Sequence, residues 1–462
     1  MTWSASMQTN AMTKKLFPAL LIAAFGLSAG APRAHATVAQ DAVRADLNGI
    51  DTVVLHTTAQ DVVTVAGSLP AGDDRSPAEN VALATLTGAM LDKGTTKHDK
   101  FAIAQMLGDV GATVGFSVGP NTLQVTGKCL RKDLPLLLSL LAEQLRLPAF
   151  SEQEFAKLQK QIAGSVRQQL EDTDFRADDD FSRAVYPTGH PNRQPTPQEI
   201  LAAVEKTTVA DLRRFHSQYY GTTGMRLVIV GDVDPKAAQA SIGQAFEGWK
   251  GGSVPPAPPK ANALSAQAVQ TVYMPDKTNV SVVIGQPTQL RYADPDAIAL
   301  RVGTRILGVG FTGRLMATVR DKEGLTYGIG ATVANDTYVD GDWRIEGNFA
   351  PALLDKGIAS TKRELASWHD QGVTAAELTR AKSQVAGTYL VRLSTTGGMA
   401  ATILQMLNAG MPLSFVDEYP HRVAALTLED VNGAIKRHLD PAKMVLVQAG
   451  TVPGATQGAA KP

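Results

Sequence analysis

The feature that most constrains the fold of this chain is an internal repeat. Residues 151–164 resemble residues 374–387, and residues 209–231 resemble residues 428–450, with offsets of 223 and 219. Self-similarity over such a distance is typical of a duplicated domain. Within each copy, the order of strand and helix patterns fits an α+β domain better than a regularly alternating parallel sheet. We therefore predict an α+β fold of two homologous α/β sandwich domains around a cavity.

Composition marks the boundary between the two copies. At 462 residues the chain exceeds what one hydrophobic core usually supports. A stretch rich in proline and glycine, 251–263, interrupts the pattern and predicts an extended linker. The sequence thus predicts an N-terminal domain over 37–250, a C-terminal domain over 264–450 and a flexible tail over 451–462.

The first 36 residues have the pattern of a secretory signal peptide. Lys14 and Lys15 precede an apolar run over 16–31, and Ala34-His35-Ala36 offers a small-x-small cleavage site. The apolar run is shorter than the ~20 residues that a membrane-spanning helix needs. We expect cleavage near Ala36, a mature chain without a transmembrane segment, and a periplasmic or secreted protein.

Charge and cysteine content exclude several classes of function. The chain has 44 basic and 44 acidic residues, so it carries no electrostatic signature of nucleic-acid or anionic-membrane binding. Cys129 is the only cysteine, which excludes an internal disulfide and a cysteine-based metal cluster. We expect Cys129 to be a buried small apolar residue.

The first copy begins with two runs of β-branched residues, 52–55 and 62–65, separated by a short polar turn. They predict a β-hairpin that opens the domain. Four helical patterns follow, and the last starts with a Ser-x-x-Glu capping box at Ser151 and Glu154. The helices are predicted at 78–91, 100–110, 134–145 and 151–170, and a buried closing strand is predicted at 226–232.

A glycine-rich segment in the second copy is the strongest functional motif. Residues 308–313 read Gly-Val-Gly-Phe-Thr-Gly, which formally matches a dinucleotide-binding fingerprint. That fingerprint requires a preceding strand and a following helix, whereas 296–307 predicts a helix that leads into the loop. The context therefore disfavours nucleotide binding. A loop between helices, in which glycines allow a peptide backbone to approach, fits better.

The glycine loop, with Arg320 and Tyr327 after it, resembles the glycine loop and Arg/Tyr pair of the pitrilysin/insulysin (inverzincin) metallopeptidase family. The resemblance implies duplicated metallopeptidase/LuxS-like domains that form half of a clamshell around a peptide cavity. It assigns Tyr327 to the oxyanion of the reaction and Arg320 to the substrate backbone, roles that fit a directed hydroxyl and a guanidinium fork. The residues that it implies for substrate contact are Gly308, Gly310, Phe311 and Thr312. Without the resemblance, 320–323 would be a solvated helix end and Tyr327 a packed strand residue.

The zinc motif of that family, His-x-x-Glu-His, is missing from this sequence. Residues 90–95 resemble the family's continuation of the motif, and this register places Thr85, Gly88 and Ala89 at the three motif positions. The third zinc ligand of the family falls near Val166. None of these four side chains binds zinc or accepts a proton at a useful pKa. We therefore predict no zinc in this chain.

Two histidines and one predicted edge strand give weaker indications of function. The eight histidines show no spacing typical of two ligands on one helix. We interpret His190 as a turn residue bonded to local backbone and His98 as a solvated surface residue. Substrates of the resembling family add a strand to a sheet edge, which would lie near 113–117 here, but the family's usual asparagine is absent at Gly115.

The leading functional expectation is a non-zinc subunit of a heteromeric zinc metallopeptidase that degrades or processes peptides, similar to the non-catalytic subunit of processing peptidases. It would form a heterodimer with a homologous zinc-binding subunit, contribute Arg320 and Tyr327, act on an oligopeptide or unfolded peptide, and be inactive alone. The alternative is a catalytically inactive peptide-binding or scaffold protein of the same fold. A self-sufficient metallopeptidase would need ligands that the sequence does not show.

Overall fold

The computed structural model describes residues 37–254, 257–261 and 268–455. The predicted signal peptide at 1–36 lies outside the described residues, as do parts of the predicted linker and tail. From Thr37 onwards the chain forms one compact unit. None of the helices in the described part is long and apolar enough to cross a membrane.

In the described part of the chain, the strands form two sheets. The first has the order β1-β2-β6-β3-β5-β4 and the second the order β7-β11-β8-β10-β9. In each sheet one pair is parallel, β2 with β6 and β7 with β11, and the other pairs are antiparallel. The strands are β1 (Ala42–Leu47), β2 (Ile50–His56), β3 (Val62–Leu69), β4 (Thr113–Val118), β5 (Leu123–Leu130), β6 (Arg226–Gly231), β7 (Val269–Tyr273), β8 (Val280–Pro287), β9 (Thr326–Ala334), β10 (Asp342–Phe349) and β11 (Val445–Gly450).

The α-helices pack in layers against these sheets. They are α1 (Val38–Asp41), α2 (Leu83–Ala89), α3 (Lys100–Asp109), α4 (Leu134–Arg146), α5 (Glu152–Gln169), α6 (Thr173–Val185), α7 (Pro197–Lys206), α8 (Val209–Tyr219), α9 (Pro235–Ala245), α10 (Ala297–Gly308), α11 (Leu354–Gln371), α12 (Ala375–Leu393), α13 (Thr396–Asn408), α14 (Ser414–Ala425) and α15 (Leu428–His438). The sequence repeat is visible in these bounds, because α5 and α6 correspond to α12 and α13. The predicted α+β fold of two homologous domains is confirmed.

Two corresponding helices exchange partners between the copies. Helix α6 belongs to the first copy but packs on β8 and β11 of the second sheet, where Phe181 and Val185 are fully buried. Helix α13 belongs to the second copy but packs on β3 and β6 of the first sheet, where Ile403 is fully buried. Each large apolar side chain buried in this way contributes about 1.5–3 kcal/mol. The exchange therefore holds the two copies together. The predicted domain boundaries divide the chain by sequence position and do not describe this exchange, and they stay a prediction.

The predicted hairpin of 52–55 with 62–65 is wrong. Strand β6 lies between β2 and β3 and pairs with both of them. The hairpin that opens the domain is instead β1 with β2, joined by Asn48 and Gly49, which both have positive φ. An Asn-Gly pair is the preferred sequence for a two-residue hairpin turn, so the signal was present in the sequence.

Most predicted helices are confirmed within one or two residues, with two corrections. The helix predicted at 78–91 is limited to α2, because turns precede it and the Asn80 side chain is tied to Thr207 by a hydrogen bond. The capping box of α5 is half formed. Ser151 accepts a hydrogen bond from the Glu154 amide, but the Glu154 carboxylate binds Lys100 and Lys157 instead of the Ser151 amide.

The ends of the predicted linker and tail are packed where the structure describes them. The Ser253 carbonyl accepts a hydrogen bond from Arg75, and the Ala261 amide donates to Asp340. Val452 is buried in the core of the second domain. Pro453 and Gly454, the next two residues, are exposed, and the flexible tail stays a prediction.

Candidate functional site

The glycine loop follows a helix, as predicted. Helix α10 ends at Gly308, the loop continues to Leu315, and a π-helical segment over Met316–Lys322 leads towards β9. A π-helical segment is rare and occurs frequently at functional sites. Because no strand precedes the loop, it lacks the setting of a dinucleotide-binding turn.

The glycines of the loop have different roles. A Cβ atom added to Gly308 would lie 2.3 Å from the Ala331 amide nitrogen, so this glycine lets α10 pack directly on β9. Gly308 is buried. The structure therefore places it away from the surface, where we expected it to contact a substrate. Gly310 has a φ of +75° and open space around it. With Phe311 and Thr312 it forms the exposed tip of the loop.

An ion pair fixes the C-terminal end of the loop. The Arg314 guanidinium donates two hydrogen bonds of 2.7 Å to the Glu377 carboxylate and one of 2.9 Å to the Gly372 carbonyl. Glu377 also completes a capping box with Thr374 at the start of α12. These hydrogen bonds, that from Arg314 first, lower the pKa of Glu377 to about 2. The sequence motif included Arg314, but its partner is far away in the sequence.

Three predicted site residues form what we call the Arg320 cluster: Phe311, Arg320 and Tyr327. The guanidinium carbon of Arg320 lies 5.2 Å from the centre of the Phe311 ring and 5.2 Å from that of the Tyr327 ring. Both distances are in the range of a cation–π contact. The Phe311 side chain is 73% exposed and the Tyr327 side chain 89% exposed.

The guanidinium of the Arg320 cluster has free hydrogen-bond donors. Its only ionic contact among the described residues is with Asp321, at 3.8 Å, and it makes no side-chain hydrogen bond within them. The two rings therefore hold the group in place while its N–H groups stay available. An arginine guanidinium has five such donors in a fixed fork, suited to carbonyl or carboxylate oxygens.

A β-bulge sets the direction of Tyr327. Strand β9 is the edge of the second sheet, and two of its residues, Tyr327 and Gly328, oppose the single residue Asn348 of β10. A bulge bends the strand and re-aims a side chain, and bulges are common next to active sites. A glycine inside a strand pattern, such as Gly328, is a sequence signal for a bulge.

The four degenerate metal positions lie on α2 and α5. The residue at each of them packs against neighbouring parts of the fold. The Thr85 hydroxyl donates to the Asp73 carboxylate at 2.8 Å, and Val166 is buried. A Cβ atom at Gly88 would lie 2.3 Å from Cγ2 of Val118, so the position of the expected glutamate is closed by β4. Ala89 is half-buried against the same core. Over the described ranges, no three His, Cys, Asp or Glu residues are grouped to hold a metal ion.

Two carboxyl groups beside these positions were missed by the sequence interpretation. Burial raises the pKa of Asp73 to about 6, against the Thr85 hydrogen bond. Burial also raises the pKa of Asp74 to about 6, although Arg75 opposes the shift. The Tyr220 hydroxyl is buried nearby and has no hydrogen-bond partner among the residues that the structure describes, and burial raises its pKa. Only the fold shows this burial, because all three residues look like ordinary turn or helix-end residues in the sequence.

The two histidines that the sequence singled out have structural roles. His190 accepts a hydrogen bond from the Asn192 amide at Nδ1, as predicted, so Nε2 carries the proton and donates to Asp340 at 3.2 Å. The prediction that His98 is a solvated surface residue is wrong, since its Nδ1 lies 2.9 Å from the largely buried Glu143 carboxylate. The edge position of β4, predicted at 113–117, is confirmed.

Family models match both copies of the repeat. Residues 52–189 match the model of insulinase (peptidase family M16), and residues 206–385 match the model of the peptidase M16 inactive domain. Together these matches cover more than half of the chain. The chain belongs to the M16 peptidase family. The resemblance found in the sequence is thereby confirmed.

Relatives of this M16 protein include proteins with different descriptions. It is 22% identical over 379 residues to a non-peptidase homolog, YmxG, of Helicobacter pylori, covering 80% of this chain and 84% of the relative. It is 24% identical over 373 residues to an uncharacterized zinc protease of Streptomyces coelicolor, covering 79% of each.

Solved structures share the fold of this M16 protein. The crystal structure of a peptidase M16 inactive domain from Pseudomonas fluorescens has a TM-score of 0.82 at 24% identity, covering 91% of this chain and all of that one. A protease from Helicobacter pylori has a TM-score of 0.80 at 18% identity, covering 88% of this chain and 99% of that one. With non-ligating residues at all four metal positions, this chain is an M16-fold protein whose own metal site is inactive.

Proposed function

We propose that this M16 protein is the non-zinc subunit of a two-chain zinc metallopeptidase. In this proposal Arg320 and Tyr327 complete the zinc site of a homologous partner subunit that carries His-x-x-Glu-His. The observation that carries the proposal is the exposure of the two rings that flank Arg320, whose own side chain is 28% exposed. A guanidinium that makes no side-chain hydrogen bond within the described residues lies between two exposed rings, and one of these, Tyr327, is on the edge strand β9.

The chemistry of peptide hydrolysis gives each side chain a role. Attack on a peptide carbonyl places negative charge on its oxygen, and a hydroxyl held beside that oxygen stabilises the transition state. Tyr327 supplies that hydroxyl from the bulge of β9. Arg320, already held by its two rings, donates to a substrate carbonyl without losing much side-chain freedom. The zinc and the general base belong to the partner, because this chain has Thr85, Gly88 and Ala89 at those positions.

The substrate class in this proposal is an oligopeptide or an unfolded segment. Strand β9 is an edge strand, and an extended peptide can add to such an edge through main-chain hydrogen bonds. Gly328 and Gly330 offer no side chains that would keep a peptide away from it. We also propose that the mature chain acts in the periplasm or after secretion, on the basis of the predicted signal peptide.

A second candidate is a catalytically inactive peptide-binding or scaffold protein. The name of the Helicobacter pylori relative, a non-peptidase homolog, favours it. The closure of the Gly88 position by Val118 also favours it, because the first copy has been repacked rather than merely stripped of ligands. This candidate requires no catalytic use of Arg320 or Tyr327.

One experiment separates the two candidates. A quenched fluorescent peptide is incubated with the mature chain, with a His-x-x-Glu-His homologue from the same source, and with both. We expect cleavage only in the mixture, at a rate that saturates at a fixed ratio of the two chains. Cleavage by the homologue alone that does not change on mixing would reject the complementing role and leave the inactive binding or scaffold protein.

A further inference from the structure

A cavity of about 370 Å³ lies beside α10, on the helix side of the second sheet. Its walls come from α10, β9, α12, α13 and α14. Three arginines and three tyrosines are part of the lining, the remaining residues are valine, threonine, alanine and glutamine, and no acidic side chain is part of it. The arginines and tyrosines are Arg301, Arg305, Arg392, Tyr292, Tyr389 and Tyr419.

Two of the arginines lack a negative partner. Arg301 is ion-paired with Asp336 and stacks on Tyr292. Arg305 and Arg392 make no ion pair within the described part of the chain, and the buried Nε of Arg305 has no hydrogen-bond partner there. A buried donor without a partner costs free energy, so such groups usually have a ligand or water. The cavity therefore carries uncompensated positive charge.

The tyrosines give the cavity aromatic walls. The Tyr389 hydroxyl is used by the fold, since it donates to the Val416 carbonyl at 2.9 Å. The rings of Tyr389 and Tyr419 lie 4.7 Å apart between their centres. A ligand here would find flat apolar surfaces next to arginine forks, which is a suitable environment for an anionic group attached to a small ring or chain.

The repeat relates this cavity to the degenerate metal position of the first copy. Helix α12 corresponds to α5 with an offset of 223, so Tyr389 corresponds to Val166. Helix α10 precedes the edge strand β9 as α2 precedes the edge strand β4. In the first copy this position is closed by Val118 against Gly88. In the second copy it is open and basic.

We propose that this cavity is a binding site for a small organic oxyanion. Arg305 and Arg392 hold the carboxylate or phosphate group through charge-assisted hydrogen bonds, and the tyrosine rings enclose the rest of the ligand. None of the three residues of the Arg320 cluster lines the cavity, although Val309 of the glycine loop does. The site does not depend on the proposed peptidase partner, so either proposal can fail without the other.

Isothermal titration calorimetry at constant ionic strength tests this site with two probes. Phenyl phosphate carries the phosphate and benzoate the carboxylate, each attached to an aromatic ring. We expect saturable binding of at least one probe to the mature chain, and the tighter probe identifies the headgroup. Absence of saturable binding for both probes would overturn the proposal.

Variants assign the binding to the two arginines. We expect R305Q/R392Q to weaken binding by about tenfold or more, since each charge-assisted bond contributes that order of affinity. R214Q is the matched control, because Arg214 is an exposed arginine of the first domain, far along the chain from the cavity. Arg392 is exposed, so R392Q alone keeps the fold and serves if the double variant does not fold. Unchanged affinity in R392Q and in a folded R305Q/R392Q would reject the site.

Discussion

The guanidinium carbon of Arg320 lies 5.2 Å from the centre of the Tyr327 ring, although the two residues belong to different elements. The π-helical segment supplies Arg320 and the bulge of β9 supplies Tyr327. A cation–π contact at an exposed site contributes about 0.5–1 kcal/mol, which is little for the fold. The contact is better understood as positioning, since it favours one arrangement of the two side chains before any ligand arrives.

The first prediction concerns the hydroxyl of Tyr327. Tyr327→Phe keeps the ring and its contact with Arg320 but removes the hydroxyl. Because the side chain is 89% exposed, we expect the free energy of unfolding to change by less than about 0.5 kcal/mol. In the mixture with a zinc-carrying homologue, we expect kcat to fall by about 10²–10³, the usual loss for one oxyanion donor. Peptide turnover measured alongside urea unfolding checks both.

Tyr273→Phe is the control for this substitution. Tyr273 ends β7, at the opposite edge of the same sheet, so the same chemical change is made far from the cluster. We expect no change in turnover from it. Equal turnover for wild type and Tyr327→Phe would instead favour the scaffold candidate.

The sequence predicted the members of this cluster but not its geometry. The glycine loop and the spacing of Arg320 and Tyr327 are local patterns, which can be recognised in a single sequence. The distance between two side chains depends on the register of the π-helical segment against β9. That register depends on Gly308 packing on Ala331 and on the bulge opposite Asn348. No sequence pattern indicates that Gly308 packs on Ala331 or that the bulge lies opposite Asn348.

The same limit explains the errors in the fold. The runs at 52–55 and 62–65 were correctly predicted as strands, but β6, more than 150 residues later, inserts between them. Helices α6 and α13 have apolar faces that predict burial. Such a face does not say which of two similar sheets it covers, so the exchange of helices appears only in three dimensions.

The second prediction concerns the closed metal position. Gly88→Ala places a Cβ atom 2.3 Å from Cγ2 of Val118, and the stiff valine must shift. We expect the free energy of unfolding to fall by about 1–3 kcal/mol, as for other overpacked sites. Urea unfolding followed by circular dichroism measures it.

Gly164→Ala is the matched control for Gly88→Ala. Gly164 lies inside α5 with nothing within 4 Å of an added Cβ, so we expect a gain of about 0.5–1 kcal/mol from helix propensity. Val118→Ala combined with Gly88→Ala should recover part of the loss, because the two residues share one contact. Purely additive effects of these two substitutions would show that the clash with Val118 does not cause the loss of stability in Gly88→Ala.

The third prediction concerns the ion pair under the glycine loop. Arg314→Gln removes two hydrogen bonds to Glu377, and we expect a loss of about 1–2 kcal/mol near neutral pH, after allowing for the partial exposure of the pair. The pKa of Glu377 is lowered from 4.5 to about 2 in the folded state. The contribution of the pair is therefore complete above the unfolded pKa and is lost as pH falls through the folded one.

Chemical denaturation at several pH values tests this linkage. The difference in stability between wild type and Arg314→Gln should be constant from neutral pH down to about pH 5 and should shrink between about pH 4.5 and 2. Lys443, which pairs with Asp440 on the surface, provides the control variant Lys443→Gln, for which we expect a change below about 1 kcal/mol. A difference that grows as the pH falls would contradict the assigned role of Glu377.

The last prediction concerns the buried carboxyl group beside the degenerate metal position. The folded pKa of Asp73 is raised from 3.8 to about 6, mainly by burial, so the folded state holds a proton that the unfolded state releases. Ionising this group therefore costs stability progressively as pH rises from about 4 to 6, and the full cost is present above about 6. Asp73→Asn removes the cost and keeps an oxygen that accepts the Thr85 hydrogen bond. We expect this variant to gain about 2–3 kcal/mol near neutral pH and nothing near pH 4, with the wild-type slope reduced between them. Asp74 retains its own raised pKa, so a smaller slope remains. An unchanged slope in Asp73→Asn would assign the whole effect to Asp74, and Asp74→Asn measured in the same way distinguishes the two groups.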